Sequence, residues 1–268
     1  MNKEDKFRMI KEHWEASADS ETDYRGLKPT APDPFLQELI ENSMLEWLDS
    51  KSNLLDIGCG DGSSTCKFAT KAGKTVGVDY VEDFIRTATF RSKNIQQRKP
   101  LFEVGSILDI GKDIKKYKDV NVVSTIRCLI NLPSLNDQEI ALQAISDILP
   151  KGGLYLCAEG WVDGIEGLNR YRKKFTLDEI KVASFNLFFR REKFENIAKA
   201  SGFKIEKYVT IGYYLFMSRV FQALYKHPLP PVHDDKINEI SAQIFTQISD
   251  ESIFKDCDYA GVYILRKI

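Results

Sequence analysis

The chain has 268 residues, 43% hydrophobic and 29% charged, a balance that suits a folded globular protein and excludes global disorder. Its 38 basic and 39 acidic residues leave a net charge of −1, so no strong basic field draws it to nucleic acid or to an anionic membrane. Five cysteines (Cys59, Cys66, Cys128, Cys157 and Cys257) form no CxxC pair, which argues against a disulfide framework or zinc site and for free thiols in a reducing cytoplasm.

The N-terminus, "MNKEDKFRMIKEHWEASADS", is polar and charged, unlike a signal peptide. No apolar run approaches the ~20 residues that span a bilayer. Residues 1–34 end in the turn-rich "GLKPTAPDP", where Pro29, Pro32 and Pro34 oppose regular helix. From 35 to 48, Phe35, Leu36, Leu39, Ile40, Met44, Leu45 and Leu48 share one helical face.

From residue 53 strands and helices alternate. "NLLDIG" predicts a buried strand, 63–72 a helix, "TVGVDY" a second strand and 81–92 a second helix. "LFEVGS" and "VNVVSTI" predict the third and fourth strands. A helix over 137–149 is expected to start at an Asn136/Glu139 capping box, and "LYLCAEG" is the fifth strand. Strands spaced by helices imply a doubly wound, mainly parallel α/β sheet. After residue 160 the rhythm breaks. A Thr176/Glu179 capping box predicts one more helix, 193–200 reads as another ended by Gly202, and "KIEKYVTI" and "YAGVYILRKI" read as two late strands. Residues 161–192 and 213–258 are expected to form a helical cap over the carboxyl edge of the sheet, where ligands bind in open α/β folds.

The chemistry concentrates in "LLDIGCGDGSST", residues 54–65, with Gly58, Gly60 and Gly62 at alternate positions after Asp56. A phosphate-binding P-loop needs GxxxxGK[ST], and this run has no lysine. A dinucleotide fingerprint needs GxGxxG, and residue 63 is Ser. Asp79 closes the second strand, 21 residues after Gly58, where a carboxylate can accept both hydroxyls of a ribose. "FEVGSILDI" and "VSTIRCLINLP" follow the third and fourth strands and border the same edge.

This set of motifs resembles the class I S-adenosylmethionine-dependent methyltransferases over roughly residues 50–160, and "LPKGGLYLCAE" is similar to that family's approach to its fifth strand. The resemblance implies a seven-stranded sheet of order 3-2-1-4-5-7-6, with strand 7 antiparallel. Residues 35–160 would be the cofactor-binding core, with 193–212 and 259–268 completing the sheet. It implies S-adenosylmethionine as cofactor, S-adenosylhomocysteine as product, and methyl transfer to a small-molecule acceptor. Asp56, Gly58 and Gly60 would shape the methionine side, Asp79 would hold the ribose and Tyr80 would flank the adenine. Ser106 stands where many members have Asp, and Ile107 would bond through its backbone N–H. Arg127 would meet the cofactor carboxylate or an anionic substrate. The N-terminal segment would fold over the methionine end, making Tyr24 and Arg25 further cofactor candidates.

For acceptor chemistry, Glu159 at the end of the fifth strand is the first candidate base, its other reading being an acid paired with a cap Arg or Lys. His227 and His233, in a proline-rich stretch, are the remaining candidates, with His233 preferred. Tyr213 and Tyr214 are expected to line the acceptor pocket. The chain also resembles a bacterial group with "INLPS" after the fourth strand and a long C-terminal cap, some members of which serve surface-sugar functions. That implies a sugar or sugar-nucleotide hydroxyl or amine as acceptor. No metal, nucleic acid or membrane partner is expected, and the protein would be a monomer or homodimer. A nicotinamide-dependent oxidoreductase and a non-catalytic cofactor-binding protein are the two alternatives from other classes.

Overall fold

The computed structural model describes residues 3–19, 31–248 and 252–268. Seven strands form one sheet: β1 (Asn53–Ile57), β2 (Lys74–Asp79), β3 (Leu101–Val104), β4 (Val122–Ile126), β5 (Leu154–Ala158), β6 (Phe203–Val209) and β7 (Val262–Lys267). Their spatial order is β3-β2-β1-β4-β5-β7-β6, as expected. Neighbours from β3 through β5 pair in parallel, whereas β7 pairs antiparallel with both β5 and β6. The order reverses between β1 and β4, and at such a switch point the loops leaving two adjacent strands diverge and open a crevice.

The helices are α1 (Lys3–Asp19), α2 (Pro34–Leu45), α3 (Ser63–Phe68), α4 (Glu82–Arg91), α5 (Ile107–Ile110), α6 (Leu135–Ile148), α7 (Val162–Lys174) and α8 (Arg191–Ala200). After β6 come α9 (Gly212–Phe216) and α10 (Gln222–Lys226), joined by a π-helical turn, and then α11 (Lys236–Phe245). Successive strand residues face opposite sides, so the sheet feeds two cores. Leu55, Val123, Tyr155 and Leu265 pack with α5, α6 and α8 residues such as Ile107, Ile145 and Phe194. Leu54, Val122, Leu156 and Ile264 pack with α2 and α9 residues such as Leu39, Ile40, Met44, Tyr214 and Leu215.

Three local expectations are corrected. Helix α6 begins two residues earlier, because Ser134 is its N-cap and accepts the Asp137 N–H. No helix opens at Thr176: that residue has φ of 57°, the Asn169 side chain takes both the N–H and the carbonyl of Ile180, and residues 177–183 form no regular element. Helix α1 was not foreseen. Its polar composition hides Phe7, Ile10 and Trp14, which recur at the i, i+3, i+7 spacing of one helical face.

Candidate functional site

At the carboxyl edge, between the loops after β1 and β4, lies a cleft whose empty volume, part of it open to solvent, is about 1160 Å³. Its floor is the glycine loop. Gly58 has φ of +72°, a conformation that disfavours side chains, and a Cβ there would stand 2.6 Å from Cys128 Sγ. Gly58 is therefore fixed both by its backbone and by the close passage of the post-β4 loop. The loop is also tied to β2: the N–H groups of Gly58 and Cys59 both donate to the Val78 carbonyl.

Asp79, 7% exposed, accepts the Gly60 N–H on Oδ2 and the Val81 N–H on Oδ1, each at 2.9 Å. The carboxylate oxygens keep acceptor capacity beyond these bonds for a ligand. Asp56 is 2% exposed and accepts hydroxyl hydrogens from Thr65 at 2.5 Å and Ser124 at 2.7 Å. Burial raises its pKa to about 6, and burial also pushes the Asp79 carboxyl up.

Residues Tyr80, Ser106, Ile107 and Arg127 line the same cleft. The Ser106 hydroxyl accepts the Leu108 N–H as the N-cap of α5. Arg127 has φ of 52°, and burial lowers its pKa from the ordinary arginine value. Its Nη2 donates to Gln37 Oε1 at 2.8 Å. Gln37 in turn donates to Ser64 and Glu41, and Glu41 also pairs with Lys67 at 3.0 Å. A polar chain thus runs from the post-β4 loop through α2 to α3.

One wall is made by side chains that the sequence reading of the N-terminal segment did not single out: Phe7, Ile10 and Trp14 of α1 line the cleft, as do Asn131 and Leu132 after β4. Helix α1 is anchored at one end by Lys3 Nζ on Asp137 at 2.6 Å. Near its other end the His13 ring lies 4.2 Å from that of Phe185.

The acceptor-side candidates are not brought to the cleft. Glu159 is 1% exposed; its Oε1 accepts the N–H groups of Cys128 and Leu129 and its Oε2 that of Ile130. It clamps the loop after β4 instead of facing a substrate, and burial raises its pKa to about 7. Tyr214 is fully buried, with its hydroxyl donating to Asp33 at 2.7 Å. His233 Nδ1 lies 3.7 Å from the other oxygen of the same Asp33, which Arg219 binds at 2.6 Å. These side chains brace α2 against α9 and the following π-helical turn, so they serve packing. Tyr213 lines a separate hollow with Lys207, Thr210 and Phe245. His227, likewise, does not line the cleft. No residue between 161 and 258 lines it, so the expected cap side chains are absent from its walls among the described residues. Residues Ala242 and Phe245 of α11 pack instead on the α2 side of the sheet. Tyr24 and Arg25 lie outside the described residues.

Among the described residues no cluster of three or more His, Cys, Asp or Glu could hold a metal ion, and no helix is long and apolar enough to cross a membrane. The thiols of Cys59 and Cys128 are pushed well above the ordinary range by burial, so they stay protonated.

A family model described as "Methyltransferase domain" matches residues 48–208. No curated protein matches the chain. Among solved structures, the chain is similar to magnesium protoporphyrin IX methyltransferase from Synechocystis PCC 6803 with bound SAH, at 12% identity and a TM-score of 0.58, covering 98% of this chain and 94% of that one. It is similar to the N-methyltransferase NodS from Bradyrhizobium japonicum WM9 in complex with S-adenosyl-l-homocysteine, at 13% identity and a TM-score of 0.55, covering 96% and 98%. A putative methyltransferase in complex with the Haloferax volcanii Trm112 activator is similar at 12% identity and a TM-score of 0.56, covering 99% and 97%.

Proposed function

The chain belongs to the methyltransferase-domain family, and from that premise we propose that it binds S-adenosylmethionine in the cleft and methylates a small molecule. The observation that carries this reading is the pairing of Asp79 with the glycine loop: a buried carboxylate fixed by two backbone N–H groups beside a loop that has no lysine for a phosphate. A further feature fits the cofactor: Tyr80, next to Asp79, lines the same cleft as the glycine loop.

In this reading Asp79 holds the ribose and Tyr80 flanks the nucleoside. Ile107 and Ser106 border the adenine. Asp56 and the loop at Gly58 and Gly60 shape the methionine end, and Arg127, oriented by Gln37, meets the carboxylate. S-adenosylmethionine supplies an activated sulfonium methyl, so the protein's contribution is alignment of the acceptor and exclusion of water. Trp14, Ile10 and Phe7 supply the apolar wall for that exclusion. An acceptor with an apolar body, presenting an amine or hydroxyl, suits this wall better than a sugar nucleotide: among the described cleft residues there is no lysine for its phosphates, and Arg127 is assigned to the cofactor carboxylate.

Incubation with methyl-labelled donor and a panel of aromatic amines, phenols and sugar nucleotides tests the reading. Transfer to the apolar acceptors is expected. Tight cofactor binding with no transfer to any member would instead favour a non-catalytic binding protein.

A further inference from the structure

The loop after β4 is held from the end of β5. The Arg127 N–H donates to the Ala158 carbonyl at 2.7 Å. The next three N–H groups, those of Cys128, Leu129 and Ile130, donate to the Glu159 carboxylate at 3.2, 3.1 and 3.1 Å. Four successive loop donors thus end on two successive residues. Leu129–Asn131 is a single 3₁₀ turn, too short to satisfy its own opening N–H groups. The Ala158 contact is made by backbone and would survive any side chain there. The carboxylate of Glu159 is the part of this clamp that the sequence specifies.

Arg127 gives the clamp a consequence for binding. Its φ of 52° is a left-handed conformation that a side chain disfavours, and a residue keeps it only where its surroundings fix the chain on both sides. Strand β4 ends at Ile126 and fixes the side before it. Glu159 fixes the side after it, and Asn131 Nδ2 closes the turn onto the Arg127 carbonyl at 2.6 Å. The side chain so directed lines the cleft and donates to Gln37. The nucleoside side rests on other ties. Asp79 holds the Gly60 and Val81 N–H groups, and the Val78 carbonyl holds those of Gly58 and Cys59. None of these bonds involves residues 127–130.

Resting on the methyltransferase reading, we propose that Glu159 is a positioning residue for the amino-acid end of the cofactor. By clamping residues 128–130 it holds Arg127 in the left-handed conformation from which the guanidinium meets the cofactor carboxylate. Glu159 itself touches no ligand. Its effect falls on the discrimination between a nucleoside that carries the amino acid and one that lacks it.

The test uses the full-length protein at about pH 8, above the value of about 7 to which burial raises the Glu159 pKa, so that the carboxylate is ionised. S-adenosylhomocysteine and 5′-methylthioadenosine are titrated by calorimetry into wild type, Glu159→Gln, Arg127→Ala and the double variant. Failure of S-adenosylhomocysteine to bind the wild type would sink the methyltransferase reading itself. Glutamine turns an NH2 toward a loop N–H and cannot accept from it. Glu159→Gln should therefore weaken S-adenosylhomocysteine roughly fivefold or more, and 5′-methylthioadenosine by less than about twofold. In the Arg127→Ala background the same substitution should change S-adenosylhomocysteine affinity by less than about twofold, because the group it positions is gone. Unchanged S-adenosylhomocysteine affinity in Glu159→Gln, equal losses for the two nucleosides, or an undiminished loss in the Arg127→Ala background would overturn the inference with the parent reading intact. Hydrogen exchange in the wild type keeps the test independent of how the variants fold. If the clamp favours the cofactor's amino-acid end, that end must favour the clamp in return. At equal saturation, S-adenosylhomocysteine should slow exchange of the 128–130 amides several-fold more than 5′-methylthioadenosine does, and equal protection would overturn the inference.

Discussion

Asp79 Oδ2 accepts the backbone N–H of Gly60 at 2.9 Å, so the acid that ends β2 holds the glycine loop that follows β1. The same carboxylate would position a ribose and set the loop on which the methionine end lies. Asp79→Ala should weaken S-adenosylhomocysteine binding by roughly 1.5–3 kcal/mol, as expected when charge-assisted hydrogen bonds are lost. Calorimetry reads this directly, and unchanged affinity would remove Asp79 from the site.

Arg127 makes a sharper distinction. If it meets the cofactor carboxylate, Arg127→Ala should reduce affinity for S-adenosylhomocysteine by roughly tenfold or more. It should leave affinity for 5′-methylthioadenosine, which has no amino-acid moiety, nearly unchanged. An equal loss for both nucleosides would mean that Arg127 acts through the loop backbone, where its φ is 52°.

Glu159 yields a pH prediction. Its pKa is raised by burial to about 7, from an ordinary value of 4.5, although three backbone N–H groups and Thr125 oppose the shift. A carboxyl whose folded pKa lies above its unfolded pKa contributes stability at low pH that is lost as pH rises through the folded value. The stability advantage of wild type over Glu159→Gln should therefore shrink between about pH 5 and about pH 8. At the lower pH, Gln in place of Glu sets an amide NH2 against one of the loop N–H donors, a loss of about 1–3 kcal/mol. Denaturant melts at both pH values measure it. An advantage that grows with pH would show the three N–H bonds to outweigh burial.

Much of this was legible in the sequence because the chemistry is local. Gly58, Gly60 and Asp79 announce a ligand loop by type and spacing, the alternation of strands and helices implied a doubly wound sheet, and the strand order came from the resemblance to class I methyltransferases. Glu159 was misread because its clamp on residues 128–130 joins loops after different strands, which spacing along the chain does not reveal. Tyr214 was misread for the same reason: its partner Asp33 is 181 residues away.

Helix α1 contributes no side chain to either core packed on the sheet, yet it walls the cleft. Trp14→Ala should therefore lower the melting temperature by no more than a few degrees, while weakening ligand binding roughly tenfold through lost apolar contact. A large fall in melting temperature with unchanged binding would assign Trp14 to the fold instead.

The central claim is that the cleft takes a sulfur nucleoside and not a dinucleotide. Parallel calorimetric titrations with S-adenosylhomocysteine and NADH test it most directly. The account predicts saturable one-to-one binding of S-adenosylhomocysteine, abolished or strongly weakened in Asp79→Ala, and no measurable heat with NADH. Tight NADH binding with no response to S-adenosylhomocysteine would contradict it.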